Sequence, residues 1–568
     1  RPRSAGRRRT ARGTRGDAGR RHGTRHHAQR ARTRGDIRPG TAADRRRAEA
    51  ERRSQRPTRA LMRRGSLLIA VLVATLVGAA PASARRIDTR TIRITPDSAQ
   101  GSTRPVISDD GSSVVFDSDS SSLVLADSNG GERDVFVRDI DGGGTALVSS
   151  GPEGAGGNGP SQAGAISADG FVVAFESDAS NLVGNDVNGT RDIFVRGGIG
   201  PVVLLSAGVG RTPANGPSRE ADVSADGGRV VFSSDATNLV AGDNNGVRDV
   251  FVRDLRTGSL TRVSQTRGGQ GGNGDSSAPA ISPDGRYVSF ASAADNLVPG
   301  DTSSVPDVFL AELKTGRLRR VSVSSHGKAQ NRAVDIPFVQ VSDVSRGGRS
   351  VVFDSDATNL VRHDRRGHTD VFVRDMRKGT TTRLSVGRGV ESNSDSVYPR
   401  ITPGGRFVTF ESFANNLFPL DARGPDSFLL DRRFGIATLL DVTNAAQPRE
   451  PRPARQLLQR PSVSADANVA AFTSYARLTG ADVNRRADAY VRRTDPPRTR
   501  LRVRGVRYRI TADDRHARFF FCRVRQLRGR CKPSGSLAFL PHGTYTLVAR
   551  AWGAGMRLSP PDRVRFRR

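Results

Sequence analysis

Short apolar segments recur along residues 90–497, separated by turns rich in Gly, Asp and Asn. Each copy opens on an aliphatic anchor, followed by Ser or Thr, turn residues and an apolar run with a Phe nine positions after the anchor. Sixteen to eighteen residues later, an Asp opens a second apolar run with an aromatic residue two positions further on. Alternating apolar and polar positions are typical of half-buried β-strands, so the pattern predicts a series of β-hairpins.

The pattern occurs seven times. The anchors are Ile107, Ile166, Val223, Ile281, Val344, Ile401 and Val463, and the Asp residues are Asp134, Asp192, Asp249, Asp307, Asp370, Asp426 and Asp488. Two further short apolar stretches and two turns complete each copy, which predicts four antiparallel strands per unit. Four-stranded units in this number are typical of an all-β, seven-bladed β-propeller, in which neighbouring blades cover each other's faces.

The last copy ends at 488–494 without a fourth strand. The segment 89–97, TRTIRITPD, precedes the first copy and is similar to fourth strands such as TTTRLSV at 380–386. We therefore expect 91–95 to pair with the last blade and close the ring, which leaves no open sheet edge. Six or eight blades are the alternatives, if one copy lies outside the ring or escapes detection.

These repeats resemble the TolB-type β-propeller family. The segments PAISPDGRYVSFAS (279–292) and DVFVRDLRTGSLTRVS (249–264) carry the resemblance, which covers about 90–497. The resemblance implies an exported protein with a propeller domain. TolB itself has an additional α/β domain and binds an envelope lipoprotein. This sequence shows no such domain and has seven copies, so the resemblance does not extend to that role.

Residues 498–568 have a different character and resemble small bacterial Ig-like modules. The motif Phe520-x-Cys522, a second cysteine at Cys531 and the strand 543–549 carry this resemblance. It implies a small C-terminal β-sandwich and, in an exported protein, a Cys522–Cys531 disulfide. Two buried free thiols are the alternative.

The formal net charge of +33 is concentrated at the two ends. Residues 1–61 and 498–568 each carry +16, whereas 62–497 carry +1. The propeller therefore has no basic face of its own, and we expect no specific nucleic-acid binding. Arg alternates with apolar residues over 501–510, which predicts an arginine face that meets an anionic polymer or is simply solvated.

A secretory signal is predicted at 62–84: two arginines after Met62, a 14-residue apolar run from Leu67 to Ala80, and a small-x-small cleavage site. Residues 1–61 are then a basic disordered segment upstream of the true start. A basic arm or a signal anchor is the alternative. After cleavage we expect a secreted or envelope protein that is not integral to the membrane, with the propeller at 85–497 and the Ig-like module at 498–568.

A loop with alternating oxygen side chains precedes the third strand of several copies. Calcium takes six to eight oxygen ligands, so these loops predict calcium sites, best in copies 2 and 3. The predicted ligands are Asp186, Asn188 and Asp192, and Asp243, Asn245 and Asp249. The alternative is that these residues only cap turns through backbone amides.

Catalytic chemistry has little support in the sequence. Three residues before each anchor lies a predicted channel-mouth position, occupied by Arg104, Ala163, Glu220, Ala278, Val341, Tyr398 and Arg460. No catalytic constellation is found, so we expect a non-enzymatic binding or scaffold protein whose partner is a protein or an envelope polymer. The alternative is a carbohydrate-active or other hydrolytic or lyase enzyme with its site at the mouth, which requires Glu220, Asp222 and a histidine to converge. The oligomeric state is open.

Overall fold

The structure, a computed structural model, describes residues 91–95, most of 101–494 and the strands between 499 and 567. The gaps fall at 126, 128, 302–304, 332–340, 388–389, 418–424, 442–459, 476–477 and 480–485, and then at 495–498, 505–506, 513–518, 525–526, 532–533, 537–543, 553–561 and 568. Residues 1–90, including the predicted signal peptide, lie outside the described residues. No helix in the described part of the chain combines the length and apolar character needed to cross a membrane.

The seven predicted copies form the seven four-stranded antiparallel blades of a β-propeller. Blades 1 to 3 are Ser102–Ile107, Ser113–Ser118, Asp134–Asp139 and Thr145–Leu147; Ser161–Ile166, Val172–Ser177, Asp192–Gly197 and Val202–Leu204; and Ser218–Val223, Arg229–Ser234, Asp249–Asp254 and Leu260–Arg262. Blades 4 to 6 are Ser276–Ile281, Tyr287–Ser292, Asp307–Glu312 and Arg317–Arg320; Ser342–Val344, Ser350–Ser355, Asp370–Asp375 and Thr380–Arg383; and Ser396–Ile401, Phe407–Ser412, Asp426–Asp431 and Ile436–Leu439. Blade 7 is Ser462–Val463, Val469–Ser474, Asp488–Arg493 and Thr91–Arg93.

Three small elements lie outside the blades. Single 3-10 turns occupy Val209–Arg211 and Arg346–Gly348, and a short hairpin of Val386–Gly387 and Val390–Glu391 follows blade 5.

A stacked aromatic pair holds the second and third strands of each blade together. The two rings are direct cross-strand partners, as for Phe232 and Phe251. Their centroids lie 5.4–5.9 Å apart and the ring planes differ by 17–28°. All fourteen side chains are at most 1% exposed. The repeated aromatic residues of the sequence are thus the centre of each blade's core.

The ring closes through the N-terminal strand, as predicted. Thr91–Arg93 pairs antiparallel with Asp488–Arg493, and the amide of Ile94 continues the ladder to the carbonyl of Ala489 at 3.0 Å. Arg93 Nη2 donates to the buried Asp488 Oδ1 at 2.9 Å, and Thr95 Oγ1 donates to the same oxygen at 3.0 Å. Residues almost 400 positions apart therefore form one blade.

The C-terminal segment forms two further sheets. One contains Thr499–Arg504, Arg507–Ala512 and Ser534–Ser536; the other contains Leu527–Cys531, Phe519–Val524, Thr544–Trp552 and Asp562–Arg567. Cys522 is in register with Gly529 and Cys531 with Phe520, which places the cysteines on adjacent strands. Their side chains lie outside the described residues, so the disulfide and the Ig-like identity stay predictions.

The alternating arginines lie on a hairpin rather than on a single strand. Arg502 is directly opposite Arg509, and Arg504 is opposite Arg507. Residues directly opposite share a sheet face, so the predicted arginine face extends over both strands. The side chains of Arg502, Arg507 and Arg509 are exposed.

Replacing Arg93 by Ala removes the cation that contacts the buried Asp488 at the closure. Because an uncompensated buried charge is costly, we expect the free energy of unfolding to fall by about 3–5 kcal/mol. Urea unfolding followed by circular dichroism measures the change. Arg256→Ala, at an exposed turn, is the control and should stay within about 0.5 kcal/mol of wild type. Equal stability of Arg93→Ala and wild type would contradict this role for the closure.

Candidate functional site: the axial channel

The first strands of the blades surround an axial channel, and a bulge aims one residue of most of them into it. The register shifts within the first strand of blades 1 to 4 and 6. Positive φ angles occur at Arg104 (52°), Glu220 (63°), Ala278 (49°), Tyr398 (55°) and Arg460 (32°). Such angles are uncommon for residues other than Gly, and bulges commonly redirect a side chain. The seven predicted mouth positions all line one cavity of about 340 Å³.

A second cavity, of about 100 Å³, continues the channel towards the opposite face. The two cavities share Asp222, Asp343 and Arg400, which therefore lie where the cavities adjoin. Arg400 is the principal positive influence on both carboxyl groups. Burial outweighs it, and raises the pKa of Asp343 to about 6.

Three of the four carboxylates that line the mouth cavity bind backbone amides of the next blade; the fourth, Glu176, contacts arginines instead. Glu220 Oε2 accepts from the amide of Ala278 at 2.7 Å, and Asp222 Oδ2 accepts from the amide of Ile281 at 2.8 Å. These bonds join blade 3 to blade 4.

Blade 5 joins blade 6 in the same way. Asp343 Oδ2 accepts from the amide of Ile401 at 2.8 Å, and Asp354 Oδ2 accepts from the amide of Tyr398 at 3.0 Å. The first strand is the inner edge of each blade, so these amides have no partner in the ladder of their own sheet, and a buried amide without an acceptor is costly. The channel acids therefore have a structural role between blades.

The arginines that line the channel form fewer direct contacts with charged partners than the acids form with backbone amides. Arg219 pairs with Asp235 at 2.9 Å, and Arg104 lies 3.9 Å from Glu176. Among the described residues, Arg400 and Arg460 form no ion pair within 4 Å. Arg460 instead lies over the Tyr398 ring, 4.9 Å from its centroid. Guanidinium groups in this setting can bind a carboxylate or phosphate through two parallel hydrogen bonds.

The convergence required for a catalytic site is only partly present. Glu220 and Asp222 both line the mouth cavity, but within the described part of the chain no histidine does. His368 lies in a blade 5 loop, with Nδ1 3.6 Å from Asp395 Oδ1. His516 and His542 lie outside the described residues.

The predicted calcium residues of copy 3 surround an arginine. Arg262, from the fourth strand, places Nη1 2.9 Å from Asp243 Oδ1 and 3.3 Å from Asp249 Oδ2. Asn245 donates from Nδ2 to Asp249 Oδ2 at 2.8 Å. A metal ion at this position would have to displace a buried guanidinium. Sequence reasoning missed Arg262 because it lies 13 residues beyond the acidic loop.

The predicted calcium residues of copy 2 are brought together without an arginine. Asn188 donates from Nδ2 to Asp192 Oδ2 at 2.6 Å and to the carbonyl of Ala214 at 2.9 Å. Burial is the main cause that raises the pKa of Asp192 to about 6, and nearby Asp186 adds to the rise. These contacts fit a capped turn, and the calcium prediction remains to be tested.

In the described part of the chain, one group of three metal-competent side chains lies within ligand distance of one another: Asp364, Asp370 and Glu391. Arg383 Nη1 lies 3.4, 3.0 and 3.3 Å from oxygens of these three residues. The Arg383 guanidinium therefore occupies the position that a metal ion bound by these three acids would take.

No family model matches this chain, and no curated protein matches it. TolB proteins are among the solved structures it resembles. TolB from Acinetobacter baumannii is 13% identical, with 68% of this chain and 78% of that chain covered and a TM-score of 0.34. An oligogalacturonate lyase from Vibrio parahaemolyticus is 13% identical, with 72% and 94% covered and a TM-score of 0.42. A protein assigned as TolB from Agrobacterium tumefaciens is 18% identical, with 53% and 89% covered and a TM-score of 0.31.

Asp354 makes the stability of the channel depend on pH. Burial raises its pKa to about 7. Between about pH 4 and 7 the folded state keeps a proton that the unfolded state has released. Stability should therefore fall as the pH rises, by about 1.4 kcal/mol per pH unit for one such group.

The variant Asp354→Asn isolates this contribution, because an amide resembles the protonated acid and does not titrate. We expect its stability deficit relative to wild type to shrink steadily between pH 5 and pH 8 in urea unfolding. Asp226→Asn, at a turn where hydrogen bonds lower the pKa of Asp226, should give a profile parallel to wild type over this range. A parallel profile for Asp354→Asn would contradict the assignment.

Proposed function

We propose that this chain is an exported, non-enzymatic binding protein whose channel mouth accepts an anionic group of its partner. The partner is a protein or a polymer of the cell envelope. Export rests on the predicted signal sequence at 62–84.

The observation that carries the proposal is the asymmetry between acids and bases in the channel. Glu220, Asp222 and Asp343 accept hydrogen bonds from the backbone of the adjacent blade. Arg400 and Arg460 line the same cavity and have no ion pair among the described residues. A partly buried guanidinium that makes no direct ion pair can still bind an incoming anion strongly, because the cavity walls reduce screening by water.

The same asymmetry argues against an acid–base catalyst at the mouth. A general acid or base must be free to gain and lose a proton in contact with substrate. The carboxylates of Glu220, Asp222 and Asp343 are oriented by backbone amides. The remaining cavity carboxylate, Glu176, lies 3.9 Å from Arg104 and 4.0 Å from Arg191, and no histidine of the described residues faces the cavity. The exposed arginine face at 499–512 provides a second, weaker site for anionic envelope polymer.

Binding by the full chain to the solubilised envelope and secreted fractions of its host tests the proposal. Retention at about 0.3 M salt selects partners held by more than exposed charge. For an identified partner, Arg400→Gln and Arg460→Gln should each weaken binding at least about tenfold, as measured by biolayer interferometry.

Arg256→Gln removes the same charge from an exposed turn and is the matched control, expected to bind like wild type. Unchanged affinity in both channel variants would place the binding surface elsewhere. Turnover of an envelope glycan, abolished in Glu220→Gln, would contradict the non-enzymatic assignment.

A further inference from the structure

Three blades neutralise a buried pair of carboxylates in the same way. One acid comes from the loop before the third strand, and the other is the first residue of that strand. In blade 3 the Arg262 guanidinium contacts both acids, and in blade 4 Arg320 lies 3.1 Å from Asp301 Oδ1 and 3.2 Å from Asp307 Oδ2. Blade 5 repeats the arrangement with Arg383. The oxygens are the same each time: Oδ1 of the loop acid and Oδ2 of the strand acid.

Blades 1 and 2 keep the acids but replace the arginine by leucine. Arg262 is the cross-strand partner of Phe251, whereas the equivalent partners of Phe136 and Phe194 are Leu147 and Leu204. The loop acids of these blades are Asp127 and Asp186, each 7% exposed, and the strand acids are Asp134 and Asp192, both 0% exposed. Two buried carboxylates thus face each other with no cationic side chain of the described residues between them.

The loop-acid oxygen that binds arginine in blades 3 to 5 has no partner in blades 1 and 2, whereas Oδ2 of the strand acid accepts from the Asn129 or Asn188 amide. Asp127 Oδ1 and Asp186 Oδ1 are both buried and accept no hydrogen bond among the described residues. Asn129 Oδ1 and Thr190 Oγ1, from the same two loops, are likewise buried and unpartnered. A buried oxygen without a donor is costly, and a buried carboxylate more so. The two aspartate oxygens are the equivalents of those that face the guanidinium in blades 3 to 5.

We propose that blades 1 and 2 each bind a divalent cation, calcium by its ligand preference, at the position of the arginine in blades 3 to 5. The ligands are Asp127, Asn129 and Asp134 in blade 1, and Asp186, Asn188 and Asp192 in blade 2. The donors are all oxygens, which suits calcium, and loop carbonyls and water complete its six to eight ligands. Rotation of the asparagine amide turns its oxygen, in place of its nitrogen, towards the cation.

The proposal separates blades that sequence reasoning treats alike. Blade 3 has the same Asp-x-Asn-Gly loop as blade 2, but Arg262 already supplies its cation. Blade 5 has the richest group of acids in the described chain, and Arg383 contacts all three. In blades 1 to 5, calcium and arginine are therefore alternative solutions to the same buried charge, and the fourth-strand residue opposite the aromatic decides which is used.

Calorimetric titration of calcium chloride into the full chain, freed of metal by a chelator, tests this directly. We expect two sites per chain in wild type, with dissociation constants of about 10⁻⁴ M or tighter. Leu147→Arg and Leu204→Arg should each remove one site, and the double variant should remove both. Leu147→Met and Leu204→Met, which keep size and apolar character, should retain two sites.

The reciprocal variant guards against a trivial loss through misfolding. Arg262→Leu removes the guanidinium from Asp243 and Asp249 and should raise the number of calcium sites from two to three. Calcium should also raise the melting temperature of wild type, but not that of the folded double-arginine variant. Absence of calcium binding in wild type, or unchanged stoichiometry in the double-arginine variant and in Arg262→Leu, would overturn the proposal.

Discussion

A carboxylate is buried at the start of the third strand in all seven blades, and none of these side chains is more than 3% exposed. In blades 1 to 5 its Oδ1 accepts a hydrogen bond from a serine that follows the fourth strand, as Asp134 does from Ser149 at 2.6 Å. The same serine accepts from the next backbone amide of the third strand, as for Val135 at 2.9 Å. This network fastens the fourth strand to the blade beyond what its three or four ladder residues supply. It also fixes a negative charge in a dry interior, which the fold must neutralise.

The blades differ in which cation neutralises this buried carboxylate. Blades 3 to 5 use an arginine of the fourth strand, and blade 7 uses Arg93 of the closing strand at the same register, opposite Tyr490. The arginine–aspartate pair that stabilises the interior of other blades thus also stabilises blade 7, where the N-terminal strand closes the propeller. In the channel, Glu220, Asp222 and Asp343 accept hydrogen bonds from edge-strand amides of the next blade.

Much of the fold could be predicted because its determinants are local and repeated. The aromatic residues at fixed offsets mark strands that are adjacent in sequence, and the closing strand resembles the fourth strands it replaces. Strand ends are harder to predict: the first strand of blade 4 begins at Ser276, five positions before its anchor, where the hydroxyls of Ser276 and Ser292 pair at 2.9 Å inside the blade. Hydroxyl pairs of this kind leave no mark in an apolar pattern.

The site was less accessible to sequence reasoning for a physical reason. The mouth positions were found because they repeat at a constant offset from each anchor. The partner of each charged side chain could not be predicted, because it lies in another strand or blade. Glu220, for example, accepts a hydrogen bond from the amide of Ala278, 58 residues away. The sequence shows leucine at the fourth-strand position of blades 1 and 2 and arginine at that position of blade 3. Only the strand register shows that these residues lie opposite Phe136, Phe194 and Phe251.

Because the N-terminal strand pairs with Asp488–Arg493, the propeller cannot close until its C-terminal blade has been synthesised. Until residues 488–493 have emerged and folded, Thr91–Arg93 has no strand to pair with, and the first and last blades of the growing array each present an uncovered face. A chain cut short before blade 7 would keep well-packed individual blades yet remain open to association with other copies and to proteases. The pairing of Thr91–Arg93 with Asp488–Arg493 thus distinguishes a complete propeller from an incomplete one. A complete propeller must lose this pairing, or separate between two blades, before it can unfold.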